Sequence, residues 1–227
     1  MSKPEQPSAD GDLHADREEY QQHQLNRVDL AANPVEMFAR WMQDARNFPL
    51  IDATAMTLAT CTREGMPSAR IVLLKQFDEE GFCWYTNYQS QKGSELAENA
   101  NAAILFYWQK FERQVRIEGA VEKVTEEQST RYFKSRPDGS RYSAAASPQS
   151  QVVPDQKWLA QRTEEMQLQY PPDKLGRPDF WGGYRLVPRQ FEFWQGRPSR
   201  LHDRFRYRKD AKKDATQTSW KIERLAP

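Results

Sequence analysis

The sequence predicts a mainly β protein with flanking helices, its strands antiparallel and arranged as a barrel or sandwich. Three observations carry this reading. From Ala55 onward apolar residues recur at every second position in short β-rich segments. Tight turns such as Arg63-Glu64-Gly65-Met66 and Asp78-Glu79-Glu80-Gly81 join those segments. The ten glycines contain no Gly-x-Gly-x-x-Gly or P-loop spacing, which argues against a doubly wound sheet with a nucleotide cradle.

Composition narrows the function classes. A chain of 227 residues suits one domain with an adequate core. With 33 basic and 32 acidic residues the net charge is +1, so no global field favours nucleic acid or an acidic membrane, and an anion site must be local. No apolar run is long enough to span a bilayer, and the mean hydropathy is −0.93. Met1 to Tyr20 lacks the apolar stretch of a signal peptide. Cys61 and Cys83 lie in expected strands as buried free thiols, which points to the cytoplasm. The three histidines and two cysteines have no metal-ligand spacing.

Taken in order, residues 1–16 read as a disordered tail, and 17–227 as the folded domain. Asn33-Pro34 starts a helix with Phe38, Trp41, Met42 and Ala45 as its apolar stripe. Strands are expected over 55–62, 68–76 and 82–87. Arg70 and Lys75 have opposite parity on the second of these, so a bulge or a strand end must intervene if both face one ligand; alternatively, they are solubilising edge charges. Ser90-Gln91-Lys92-Gly93 precedes a helix over 94–99, where free backbone N–H groups and Lys92 suit a phosphate, or Ser90 is a plain cap. Strands over 102–108 and 114–124 follow, with Gln114 able both to donate and to accept.

Thr125-Glu126-Glu127-Gln128 is a capping box, and its helix places Tyr132 and Arg136 on one face. Pro137 ends the helix and Ser140 lies just beyond, giving either a phosphate grip or a surface arginine beside a half-buried tyrosine. Residues 143–153 are expected as a loop, and 154–170 as a helix burying Trp158, Leu159, Met166 and Tyr170. A loop over 171–183 leads to strands at 184–187, 190–195, 204–208 and 218–225, with a lysine-rich hairpin at 209–213. Between them, Phe191 to Trp194 alternate as a strand, Gly196 and Pro198 break it, and Arg200, His202 and Arg204 follow two apart. In an extended segment these three leave one face, as a solvated basic strand or as a wall for a planar or anionic ligand.

Trp194-Gln195-Gly196 with Arg200-Leu201-His202-Asp203-Arg204 resembles the C-terminal motif of the pyridoxine/pyridoxamine 5'-phosphate oxidases. The likeness continues through Arg70 to Lys75, Tyr85-Thr86-Asn87, Glu112 to Val115, Tyr132-Phe133, Ser135-Arg136-Pro137, Gln149-Ser150, Phe180-Trp181-Gly182-Gly183 and the ending at Pro227, so it spans the chain from about Arg17. The resemblance implies an antiparallel Greek-key split β-barrel of FMN-binding type and a cytoplasmic homodimer with FMN between its subunits. It implies oxidation of pyridoxamine or pyridoxine 5'-phosphate to pyridoxal 5'-phosphate, with two electrons passing from the substrate to FMN and then to O2, giving H2O2. For the cofactor it implies Arg70, Ile71, Val72, Leu73, Leu74, Lys75, Tyr85, Thr86, Lys92, Gln114, Gln149, Ser150, Trp194 and Arg204. For the substrate it implies Lys75, Tyr132, Arg136, Ser140, Leu201 and the catalytic pair Arg200 and His202, with Arg17 and Tyr20 as a lid. His202, titrating near neutrality, could also manage a proton. One departure stands out: Gln91 occupies a position where the family usually has a second basic residue beside Lys92. Two other readings remain, a sister flavin oxidase acting on another ring such as a phenazine precursor, and a small barrel that binds nucleic acid through the basic run from Arg200 to Lys213.

Overall fold

Asn33 opens the first helix as its residue type dictates. In the computed structural model, which describes residues 20, 23–49, 52–209 and 219–227, its side chain accepts the Val35 N–H and Pro34 takes the first turn of α1 (Pro34–Arg46). The expected stripe is buried, with Val35 and Met37 added to it.

The strands are β1 (Ala55–Cys61), β2 (Pro67–Leu73), β3 (Gln76–Asp78), β4 (Gly81–Asn87), β5 (Asn101–Trp108), β6 (Arg113–Lys123), β7 (Trp181–Gln195), β8 (Asp203–Lys209) and β9 (Trp220–Leu225). All pair antiparallel in one nine-stranded sheet of order β2-β1-β5-β6-β7-β4-β3, from which β8 and β9 branch off β7. This is the mainly antiparallel half-barrel the alternation predicts. The helices are α1, α2 (Gln91–Glu98), α3 (Glu126–Ser135), α4 (Asp138–Ala146) and α5 (Gln156–Gln169).

Several expectations are corrected. β2 ends at Leu73, so Lys75 lies beyond the strand, and this resolves its parity conflict with Arg70. Residues 184–187 and 190–195 belong to one strand, β7, because Pro188 and Arg189 sit at a bulge where the ladder to β6 slips between Glu118 and Gly119. The same point divides the other edge of β7: residues 181–186 pair with β4 and residues 190–195 with β8. Residues 138–146, expected partly as loop, form α4, whose start Pro137 supplies. α5 buries none of its residues, and Tyr170 is exposed. Cys83 is buried, whereas Cys61 is only half-buried. The tail 1–16, Arg17 and residues 210–218, including most of the lysine-rich hairpin, lie outside the described residues.

The core is aromatic. Phe38 of α1 is fully buried and meets Phe77, Phe82 and Phe106 edge-on at ring distances of 5.0, 5.0 and 4.9 Å. This one ring ties the helix to three strands. Phe38→Ala should therefore cost about 3–5 kcal/mol of stability. Urea unfolding of the variant checks this, and a loss under about 1 kcal/mol would mean the pocket collapses around the missing ring.

Candidate active site

One cavity of about 770 Å³ gathers most of the residues singled out from the sequence. Its floor comes from the end of the sheet: Arg70 to Leu73 of β2, Lys75 just after it, and Tyr85, Thr86 and Asn87 at the end of β4. Helices close it. Lys92 enters from the first turn of α2, Tyr132 from α3, Arg136 and Pro137 from the α3–α4 junction, and Ser140 and Ser143 from α4. Gln149 and Trp181 also line it, together with Gly139, Ala144 and Ser147. Leu74 is the exception in its segment: its side chain is buried in the core. Ser150 also stays outside the lining, exposed and in a left-handed turn with φ of 69°.

Lys92 is the unusual group. It is 8% exposed, and its Nζ donates to Thr86 Oγ1 at 3.2 Å, Ser90 Oγ at 3.1 Å and Gln149 Oε1 at 3.3 Å, all neutral acceptors. Burial, reinforced by the Arg70 charge and opposed by Glu95, pulls its pKa down to about 8. α2 starts at Gln91 rather than 94, so Lys92 is inside its first turn. Gly93 permits this placement: a Cβ there would stand 2.0 Å from the Tyr88 carbonyl oxygen. Gln91 donates its amide to Glu95 Oε1 at 2.9 Å.

The opposite wall is a stack. The Tyr85 and Tyr132 rings lie 3.8 Å apart, and both are near-parallel to Trp181. The Arg136 guanidinium sits 4.8 Å from the Trp181 ring. Arg136 Nη1 is buried with no hydrogen-bond partner, and burial lowers the pKa of the group. A buried donor left open at the edge of a cavity that also holds a buried ammonium fits a phosphate-bearing ligand. Trp181, Asn87, Ser143 and Pro137 were given no role in the sequence reading. Trp181 could have been found there through the Phe180-Trp181-Gly182-Gly183 motif.

A second group of expected residues lies elsewhere. Gln114, Trp194 and Arg204 face one another across β6, β7 and β8, on the side away from buried Val115, Phe193 and Phe205. His202 packs 4.7 Å from Trp194, and Tyr20 meets both rings edge-on at 5.7 and 5.6 Å. Gly196 is needed there, since a Cβ would come within 2.7 Å of the Tyr20 ring. None of these residues lines the cavity. Trp181 and Trp194 stand near opposite ends of β7.

The spacing of Arg200, His202 and Arg204 does not make one extended face. Ser199 and Arg200 adopt φ of 54° and 60°, in a short 3-10 turn over Pro198–Arg200, and β8 begins only at Asp203. Arg200 and Leu201 are exposed, whereas Arg204 binds Glu192 and the Ala226 carbonyl. His202 Nδ1 accepts the Arg197 N–H at 3.2 Å, so the neutral ring carries its proton on Nε2. Burial and the charges of Arg200 and Arg204 lower its pKa, and Asp203 opposes them weakly. The shift favours the neutral imidazole, and in that form the ring offers Nε2–H as a donor.

Fold and cavity together define a split-barrel protein with a cavity built for an anionic ligand. The family model for pyridoxamine 5'-phosphate oxidase matches residues 42–170, and that for the pyridoxine 5'-phosphate oxidase C-terminal dimerisation region matches residues 181–227. A pyridoxine/pyridoxamine 5'-phosphate oxidase of Burkholderia thailandensis is 52% identical over 214 residues, covering 93% of this chain and 97% of its own, and one of Burkholderia pseudomallei matches equally. PhzG from Burkholderia lata, solved with tetrahydrophenazine-1-carboxylic acid, superposes with a TM-score of 0.80 at 30% identity over 88% of this chain and 95% of its own. A related FMN-binding protein of Nostoc punctiforme, at 18% identity over 87% of this chain and all of its own and a TM-score of 0.68, shares the fold. The chain belongs to the pyridoxine/pyridoxamine 5'-phosphate oxidase family.

The charges around His202 can be tested directly. Arg200→Gln should raise its pKa toward the ordinary 6.5, since one of the groups lowering it is gone. An NMR titration of the imidazole protons reads this, and an unmoved or lower pKa would remove Arg200 from its surroundings.

Proposed function

We propose that this protein is an FMN-dependent oxidase. Pyridoxamine 5'-phosphate, O2 and water would give pyridoxal 5'-phosphate, ammonia and H2O2; pyridoxine 5'-phosphate and O2 would give pyridoxal 5'-phosphate and H2O2. The observation that carries the reading is the pairing in one cavity of a buried Lys92, bonded only to neutral acceptors, with the open Arg136 Nη1. Two phosphates need two such grips. Arg70, Lys92, Thr86 and Gln149 fit the FMN tail, with Ile71, Val72, Leu73, Lys75 and Tyr85 along the flavin and Leu74 and Ser150 offering backbone alone. Lys75, Tyr132, Arg136 and Ser140 fit the substrate phosphate.

When bound, FMN supplies the two-electron acceptor that no side chain offers. The chain's own residues bind and orient. Trp181, stacked with Tyr132, gives Arg136 a flat, half-buried seat. His202 presents Nε2–H as a hydrogen-bond donor to the substrate ring, and Arg200 adds a cation beside it. A homodimer accounts for Gln114, Trp194, Arg204, Arg200 and His202 lying off the cavity. The match to a C-terminal dimerisation region over 181–227 supports a second copy that brings its own set to the open side. Leu201, Tyr20 and Arg17 would then cover the substrate. Among the described residues no helix is long and apolar enough to cross a membrane, which suits a cytoplasmic enzyme.

The test is purification followed by assay. The protein should be yellow, with a flavin absorption band, and should release H2O2 from pyridoxamine 5'-phosphate far faster than from pyridoxamine. A protein that takes up no FMN would overturn the reading, and turnover of a phenazine precursor alone would favour the PhzG-like alternative.

Arg136→Ala removes a charge-assisted contact of roughly 1.5–3 kcal/mol, so pyridoxal 5'-phosphate should bind roughly ten- to a hundred-fold more weakly. Unphosphorylated pyridoxal should be little affected. Equal weakening of both, measured by equilibrium binding, would take Arg136 away from the phosphate.

A further inference from the structure

Glu95 is a buried carboxylate beside the cavity that the proposed function leaves unused. It is 5% exposed, lies on α2 one turn after Lys92, and does not itself line the cavity. Its oxygens accept from Ser68 Oγ at 2.6 and 2.8 Å, from Thr60 Oγ1, and from Gln91 Nε2 at 2.9 Å. The same two hydroxyls accept from Arg70, Thr60 from Nη1 and Ser68 from Nη2. Each hydroxyl therefore relays between the guanidinium and the carboxylate, and a direct Nη2–Oε2 contact of 3.4 Å closes the ring. Cross-strand pairing dictates the cluster: Thr60 faces Ser68 and Leu58 faces Arg70, so all four point to one side of the β1–β2 ladder.

Arg70 has a further anchor, since Nη1 also donates to the Leu58 carbonyl at 3.3 Å. Its position is set mainly by these neutral groups, the 3.4 Å contact to Glu95 being the longest of its bonds, whereas its charge is opposed by Glu95. The cavity end that holds Arg70 and Lys92 carries two cations and this one nearby anion, a poor balance for a doubly charged phosphate. We propose that Glu95 limits how tightly this protein holds the FMN phosphate, by offsetting the Arg70 charge without being needed to place Arg70. The inference rests on the reading that the FMN phosphate lies against Arg70 and Lys92. Gln91 belongs to the same device. It is exposed, and an arginine there would reach Glu95 at i,i+4 and draw it away from Arg70.

Apoprotein is titrated with FMN and with riboflavin, which lacks the phosphate, at low and high salt, following flavin fluorescence. Glu95→Gln should tighten FMN by about threefold or more at low salt, the size of a partly screened charge effect, with the gain shrinking at high salt. Riboflavin affinity should stay unchanged. Gln91→Arg should also tighten FMN, and the double variant should gain no more than Glu95→Gln alone, because both act through one carboxylate. Unchanged or weaker FMN binding in Glu95→Gln would overturn the proposal and make Glu95 a holder of Arg70. Additive gains, or a matching shift for riboflavin, would overturn it too. Should Glu95→Gln fail to fold, the surface change Gln91→Arg decides alone, an unchanged FMN affinity counting against. If wild-type apoprotein bound FMN no better than riboflavin, the phosphate assignment itself would fall; tight FMN binding with no response to either variant would sink only the role of Glu95.

Discussion

The ladder between β6 and β7 is the constraint on which the rest depends. It runs from Arg113 opposite Gln195 to Lys123 opposite Tyr184, slipping once at Glu118 and Gly119. With one edge of β7 committed to β6 from Tyr184 onward, the other edge serves two partners, β4 and then β8. The bulge at Pro188 and Arg189 is where that exchange happens. Pro188 has no N–H to donate, so a break in pairing costs least there. The consequence is positional: β4 delivers Thr86 and Asn87 next to Trp181, whereas β8 delivers Arg204 opposite Trp194. A paired strand is stiff, so the two groups are held apart along β7 within one chain. Under the proposed function this is what makes a second copy part of the site rather than an addition to it.

Electrostatics at the cavity follow from the packing of α2. The helix begins against the Tyr88 carbonyl, at a distance only a glycine at 93 tolerates, and that approach carries Lys92 inside. Once inside, the ammonium has hydroxyls and an amide as partners, which solvate it incompletely and lower its pKa. Glu95, one turn on, behaves oppositely. Burial pushes its carboxyl up, but hydrogen bonds from Ser68, Thr60 and Gln91 and the Arg70 charge more than offset this and bring it to about 2. One short helix thus holds a cation kept hungry for an anion and an anion fully satisfied by its neighbours. The difference lies in which hydroxyls the strands point at each.

Much of this was legible in the sequence. Alternation from Ala55 gave the strands, Asn33-Pro34 and Thr125 to Gln128 gave two helix starts, and the family resemblance singled out Arg70, Lys92, Tyr132 and Arg136, which line one cavity. What stayed hidden has physical causes. Residues 143–146 are Ser-Ala-Ala-Ala, a run too short and too small-sided to show an apolar stripe although alanine favours helix; the helix is held to the end of α5 by Tyr142 donating to the Tyr170 carbonyl. The continuity of β7 was masked by Pro188, which reads as a breaker unless a bulge is foreseen. Glu95 was invisible because nothing about a single glutamate on a short helix says that two strands will aim hydroxyls at it. The same-face reading of Arg200, His202 and Arg204 failed because it took the backbone to be extended where it turns.

That turn shows how the second group of residues is held. Two consecutive non-glycine residues, Ser199 and Arg200, sit in the left-handed region, at a cost of roughly 1–2 kcal/mol each. Such a cost persists only where the surroundings fix the path of the chain. Here they do. Gln195 is buried and donates to the Phe111 and Glu112 carbonyls, pinning the chain before the turn. Asp203 is buried and accepts from the Leu25 N–H and from Arg224, pinning it after. Between these anchors the turn has one way to close, and it drops His202 back onto Trp194 with Nδ1 capped by the Arg197 N–H. A relaxed, extended link would let the imidazole swing and choose either tautomer. The strained one fixes ring position and proton together, and so sets His202 as a donor by geometry before any ligand arrives.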